Sequence, residues 1–157
     1  MCRLCRTCGP SLDQYARGTI VGITGGTTKE QLVRATLESI AYQVKDNLDV
    51  MVKDSGIPIE VMRVDGGAAV NTFLMQFQAD ILGIPVDVPV ITETTALGAA
   101  YLAACGIGEF HDLSELEKNW KLYRRYEPHM EEDVRQELLR NWHKAVERAK
   151  NWQKARN

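Results

Sequence analysis

The chain has 157 residues, 45% of them hydrophobic and 25% charged. That is the length of about one compact domain with enough apolar side chains for a core, which excludes a disordered tail. No apolar run approaches the roughly 20 residues that a membrane span requires, and a formal net charge of −2 gives no basic field directed at nucleic acid.

Residues 1–12 form an atypical segment, set apart from a single domain expected over 13–157. They lack periodicity and carry three of the four cysteines, Cys2, Cys5 and Cys8. Thiolates at two-residue gaps can hold zinc or an iron–sulfur cluster, but three ligands are only part of such a site. Disulfides would need a secretory context. No apolar signal-peptide core follows Met1, so a reducing, cytoplasmic compartment is expected.

Gly18–Ile23 reads as a short strand, with β-branched residues bounded by glycines. Thr27 and Glu30 have the spacing of a capping box that opens a helix. Val33, Leu37, Ile40, Ala41, Val44, Leu48 and Met51 then recur at three- and four-residue intervals, one apolar stripe on a helix of about 25 residues. Gly56 and Pro58 stop it. Ile59–Val64 reads as a second strand, followed by the tight turn Asp65-Gly66-Gly67. A helix opens near Val70 or Asn71, buries Phe73, Leu74, Phe77, Ile81 and Leu82, and ends at Gly83.

Pro85–Val90 is expected to be a short edge strand, since proline stands at both ends. Glu93–Cys105 is a helix of small residues, among them Ala96, Gly98, Ala99, Ala100, Ala103 and Ala104, expected to press closely on a neighbour. Cys105 on it reads as a buried, inert thiol. Ser114 and Glu117 have the spacing of another capping box. Lys and Arg concentrate after Leu113 with acids interleaved, the pattern of a solvated helical face. The chain is briefly extended near Tyr123–Tyr126, and Pro128 opens a terminal helix with Val134, Leu138, Trp142, Ala145, Ala149 and Trp152 inward. Its acidic first turn and basic end suit the helix dipole.

Strands alternating with helices predict an α/β layer architecture. A three-stranded sheet is small for a complete domain, so the sheet is expected to continue into residues outside this sequence.

The most informative stretch is Met62–Leu74. A hydrophobic strand ends in Asp65, two glycines follow, and a helix starts. Glycines let ligand atoms approach the backbone, and a helix start offers N–H groups to an anion. Asn71 is placed to hydrogen-bond a base or ribose edge. The same sequence also describes an ordinary turn, and both readings stand at this point. The phosphate loop of NTPases and the dinucleotide-binding glycine motif are both absent. Asp65 either helps to position a nucleotide or stabilises the turn. Glu93 reads as a helix-start charge. His111, His129 and His143 have no evident acid or base partner and read as surface residues.

RATLESIAYQVKD (Arg34–Asp46), RVDGGAAVNTFLMQFQADILG (Arg63–Gly83) and ETTALGAAYLA (Glu93–Ala103) resemble the C-terminal part of the glycerol kinases, within the FGGY carbohydrate kinases. DQYARGTIVGITGGTT (Asp13–Thr28) is similar to the segment just before it. The resemblance runs from about Asp13 to Trp152. Sister FGGY sugar kinases share the Asp-Gly-Gly turn but usually vary the Ala-Thr-Leu-Glu-Ser helix.

The resemblance implies a partial ribonuclease-H-like domain of the actin and hexokinase type, a short mixed sheet packed with helices. It also implies ATP and Mg2+ as cofactors of the whole kinase, with ATP/ADP and glycerol as its ligands. The adenosine-side residues carried over are Gly66, Gly67, Ala68 and Asn71. No catalytic residue and no metal ligand is carried over, because the family's catalytic Asp lies upstream of Asp13. The isolated chain is therefore expected to be inactive, and a half-domain with exposed apolar surface is expected to self-associate or form a homo-oligomer.

Shifted by one base with suitable codons, Cys2–Pro10 becomes Ala-Gly-Phe-Val-Gly-Leu-Ala-Gly-Pro, which is similar to the family's stretch just before Asp13. Residues 1–10 are on this hypothesis an out-of-frame reading joined to an in-frame tail. Genomic DNA without kinase-like coding in the shifted frame would sink it.

Overall fold

The computed structural model describes Asp13 and residues 15–109 and 120–153. The cysteine-rich start and the Ser114–Glu117 box lie outside the described residues. Among the described residues eight elements follow in order. They are helix α1 (Lys29–Ser55), strand β1 (Met62–Arg63), a 3-10 turn (Gly67–Val70), helix α2 (Thr72–Leu82), strand β2 (Val86–Pro89), helix α3 (Thr94–Gly106), strand β3 (Leu122–Tyr126) and helix α4 (Glu132–Ala149). The fold is the mixed α/β arrangement expected from the sequence.

Helix α1 is capped one residue later than the sequence spacing suggests. The Thr28 hydroxyl accepts from the Gln31 N–H at 3.4 Å, and the Gln31 side chain accepts from the Thr28 N–H at 3.0 Å. Thr27 is occupied elsewhere: its hydroxyl accepts from the Thr24 N–H at 2.9 Å and closes the preceding turn. Gly56, at φ 68°, ends the helix as expected. The buried face is Ala35, Ser39, Ala41, Tyr42 and Leu48, whereas Val33, Ile40 and Met51 of the expected stripe are exposed. Ile40, between buried Ser39 and Ala41, lies on the uncovered side of the helix, and length accounts for Val33 and Met51 near its two ends. A 27-residue helix runs about 40 Å, and the 11-residue α2 packed on it covers only about 16 Å.

The sheet has the order β1-β2-β3. β1 and β2 are parallel and joined through α2, with Met62 opposite Val86 and Arg63 opposite Asp87. β3 returns antiparallel on the other side of β2, with Val86 opposite Tyr126 and Asp87 opposite Arg125. β2 is therefore central and buried along its whole length, not the expected edge strand. Pro89 fits because it stands at a register irregularity, where a missing N–H breaks no regular ladder. The strand expected over Gly18–Ile23 reduces to one isolated bridge at Ile20. A strand needs a neighbour, and among the described residues the sheet has only these three members.

The core lies between α1, α2, α4 and the sheet. The Tyr42 ring meets Phe77 edge-on at 5.5 Å and stacks on Trp142 at 5.2 Å. Trp142 is 1% exposed, and its indole N–H donates to Asp46 at 2.7 Å. The outer oxygen of Asp46 sits 3.0 Å from His143 Nε2, so α1 and α4 are joined by packing and by a polar clamp. His143 thus has an acidic partner, contrary to expectation, and the His129 ring stands beside Gln76 while its backbone N–H donates to Asp80. Trp152 is 65% exposed, because α4 ends at Ala149 and the chain has left the helical register. Leu139 replaces Val134 on the buried face.

Candidate functional site

The Asp65-Gly66-Gly67 turn is set by its neighbours on both sides. β1 hands the chain over at Val64, whose N–H still donates to the Asp87 carbonyl at 3.1 Å. Gly66 then adopts φ 81°, ψ 172°, a region essentially open only to glycine. Its N–H donates to the Thr92 carbonyl at 2.7 Å, which ties the turn to the segment before α3. The Thr94 hydroxyl donates to the Asp65 carboxylate. Of the two readings of Asp65, the geometry favours the turn-stabilising one. Thr92 and Thr94 were not legible as site residues, since nothing in their spacing announces a partner so far back in the chain.

Past Gly66 the chain makes the 3-10 turn, with Ala69 buried beneath it and the Ala69 N–H donating to the Gly66 carbonyl at 3.0 Å. Asn71 caps α2, its side-chain oxygen accepting from the Leu74 N–H at 3.0 Å. Gly66, Gly67, Ala68 and Asn71 thus fall in one continuous turn at the start of α2. Gly67 and Ala68 are exposed, and a methyl group built on Gly67 would meet no atom within 4 Å. Gly66 is therefore a glycine for its backbone. Gly67 is a bare surface that the packing of the described residues does not require. Arg34 on α1 reaches toward the same end of α2, its guanidinium 5.4 Å from the centre of the Phe73 ring and bonded to Glu38 at 2.6 Å.

Beside the turn, α3 and the ends of β2 and β3 bound an open groove of about 1040 Å³. Thr94 belongs to both features. Arg63 lies over the Trp120 ring at 4.4 Å on the opposite wall. Contrary to expectation, α3 buries none of its residues among those described, and Cys105 is only half-buried. Glu93 stands at its start, as read from the sequence, without a side-chain cap bond.

Away from the turn, Asp87 on β2 is buried and held by two bonds from Arg125, at 2.6 and 2.8 Å. Those bonds hold its carboxyl below the usual carboxylate range and push the guanidinium of Arg125 up. This pair locks β2 to β3 and lies in the sheet, so it is structural. Among the described residues no three His, Cys, Asp or Glu side chains gather as a metal site, and no helix is long and apolar enough to cross a membrane.

A parallel pair of strands bridged by a helix, with a glycine turn after the first strand, is the geometry of a nucleotide-facing α/β unit. The profile of the FGGY family of carbohydrate kinases, C-terminal domain, matches residues 5–107, and the chain belongs to that family. It is 59% identical over 143 residues to a glycerol kinase of Caldanaerobacter subterraneus subsp. tengcongensis, covering 91% of this chain and 29% of that protein. It is 58% identical over 145 residues to glycerol kinase 2 of Thermotoga maritima, covering 92% and again 29%. The chain thus spans 29% of the length of these curated relatives. Among solved structures, glycerol kinase of Plasmodium falciparum with ADP matches at TM-score 0.73 and 34% identity, over 85% of this chain and 27% of that one. A ligand-bound xylulose kinase of Lactobacillus acidophilus matches at TM-score 0.74 and 26% identity, over 88% and 28%.

Proposed function

We propose that this chain is the C-terminal segment of an ATP-dependent glycerol kinase, that it forms one wall of the adenine-nucleotide site, and that it does not catalyse alone. The observation that carries the reading is the contrast in identity. Among solved structures of equal likeness a glycerol kinase stands at 34% and a xylulose kinase at 26%, and curated glycerol kinases reach 59% over nearly the whole chain. The fold is common to both sugar-kinase classes, so sequence and not shape favours glycerol as the substrate over a sister sugar.

In the whole kinase a terminal hydroxyl oxygen of glycerol attacks the γ-phosphorus of ATP. The bond to the β–γ bridging oxygen breaks, and ADP and glycerol 3-phosphate result. Such transfer rests on positioning and on charge stabilisation around Mg2+. The base that takes the hydroxyl proton belongs to the upstream part of a full-length kinase. The turn fits the nucleotide because Gly67 presents backbone with no side chain above it. Gly66 acts through its conformation, since its N–H is already spent on Thr92. Ala68 adds a small exposed flank. The side-chain oxygen of Asn71 is occupied as a cap, so its amide NH2 is the group that donates to the base or ribose. Asp65 is engaged by Thr94, and Mg2+ is assigned no ligand here. A cytoplasmic location accords with a metabolic kinase that works on cellular ATP.

Titration of the 15N-labelled chain with Mg-ADP tests the reading. Amide shifts centred on Gly66, Gly67, Ala68 and Asn71 are expected, with a Kd of roughly millimolar because most preorganised contacts belong to the other wall. A well-dispersed spectrum unmoved by tens of millimolar nucleotide would refute it.

A further inference from the structure

We propose that Arg34 is a base-stacking residue of the nucleotide wall, its guanidinium plane covering one face of the base and setting a preference for purine over pyrimidine. The inference rests on the reading of the turn at Gly67 as part of a nucleotide site. Two observations carry it. First, Arg34 is held and open at once. Its Nε donates to Glu38 at 2.6 Å and its guanidinium lies over the Phe73 ring at 5.4 Å, yet its side chain is 65% exposed against 17% for Glu38. Fixing an exposed arginine costs rotamer freedom for little return in stability, so a plane fixed this way and left facing solvent is available to a ligand. Second, the ring beneath it is rooted in the core. Phe73 stacks on Phe77 at 6.2 Å, Phe77 meets Tyr42 edge-on, and Tyr42 stacks on Trp142. This ladder of rings runs outward to the start of α2, and Arg34 covers its outer end.

The outer end of the ladder and the glycine turn meet at the same place. Phe73 follows Asn71 by two residues, so ring and cap both stand at the start of α2. Val70, just before Asn71, is 71% exposed, and Gly67 and Ala68 are exposed beside it. An exposed valine and a bare glycine backbone suit the flat face of a base. A guanidinium plane suits it better, because it stacks flat on a π-system whose face attracts its charge. A purine, with two fused rings against the pyrimidine's one, meets more of that surface. Lysine in the place of Arg34 retains the charge and offers no plane. Base size, and not phosphate charge, is therefore what Arg34 reads.

The test titrates the full chain with Mg-ADP, Mg-UDP and Mg-pyrophosphate, following amide shifts and the magnetisation transferred from protein to the base and ribose protons. The parent should bind Mg-ADP about tenfold more tightly than Mg-UDP, with the strongest transfer to adenine H2 and H8. Arg34→Lys and Arg34→Met should each weaken Mg-ADP about tenfold, bring the two nucleotides close to equal affinity and leave Mg-pyrophosphate unchanged. Both should keep the parent's circular dichroism, because the side chain they replace is exposed. An Arg34 that only supports the fold would weaken all three ligands together, and that outcome would overturn the proposal. So would loss of binding in Arg34→Met with rescue in Arg34→Lys, which would make the residue a phosphate cation. Parent-like binding by both variants would remove Arg34 from the site while leaving the nucleotide reading intact, since the Gly67 amide shift of the parent decides that reading by itself. A parent chain silent to Mg-ADP would overturn the nucleotide reading and the stacking role with it.

Discussion

The two glycines of the turn are glycines for different reasons, and substituting them one at a time separates conformation from recognition. Gly66 lies at φ 81°, ψ 172°, where a side chain is strained whatever space surrounds it. Gly66→Ala should therefore destabilise the chain by about 2 kcal/mol, within the 1–3 kcal/mol typical of such conformations. For a domain of this size that lowers Tm by about 4–8 °C. Gly67 has no such backbone demand and open space above it. Gly67→Leu should leave stability within about 0.5 kcal/mol of the parent while weakening Mg-ADP about tenfold or more, because the new side chain occupies the nucleotide's place. The assays are thermal unfolding by circular dichroism and the amide-shift titration, run on both variants. Equal stability loss in the two would refute the separation of roles. Unchanged ADP binding by Gly67→Leu would remove that residue from the nucleotide wall.

Trp142→Ala removes a fully buried indole and its stack on Tyr42, so urea unfolding should show a loss of about 3–5 kcal/mol. Trp142→Phe keeps an aromatic ring for the stack but gives up the bond to Asp46, and the loss should fall to about 1–3 kcal/mol. Gln78 is 3% exposed and its amide nitrogen has no hydrogen-bond partner among the described residues, so Gln78→Met should raise Tm, with a gain of about 1 kcal/mol. The Asp87 carboxyl titrates below its unfolded value of about 4, so its bonds to Arg125 stabilise the fold fully above that pH and are lost as pH falls through the lower folded value. Asp87→Asn should therefore flatten the acid limb of a Tm-against-pH curve, and an unchanged limb would place acid sensitivity elsewhere.

The elements with strong local signals were legible. Asn71 and Gly83 bound α2 as spacing suggests, because capping is chemistry of neighbouring residues. The misreadings arose where partners are distant. The prolines around β2 suggested an edge, but β3 returns to pair on the far side, and no local pattern announces that return. Tyr42 became the hub of the core although the expected stripe on α1 ran past it, since which face is covered depends on where α2 and α4 arrive. In the candidate site the glycines and Asn71 were visible as a motif. Their bracing by Thr92 and Thr94 was not, because a hydrogen bond across the fold leaves no trace in spacing.

The stack of Tyr42 on Trp142 joins a helix near the start of the described chain to one near its end. During synthesis α1 and α2 leave the ribosome long before α4 exists. Their shared face stays uncovered until Trp142 arrives, so the fold closes only in its last stretch, and nascent chains arrested after β3 should remain open to protease while those that include α4 resist it.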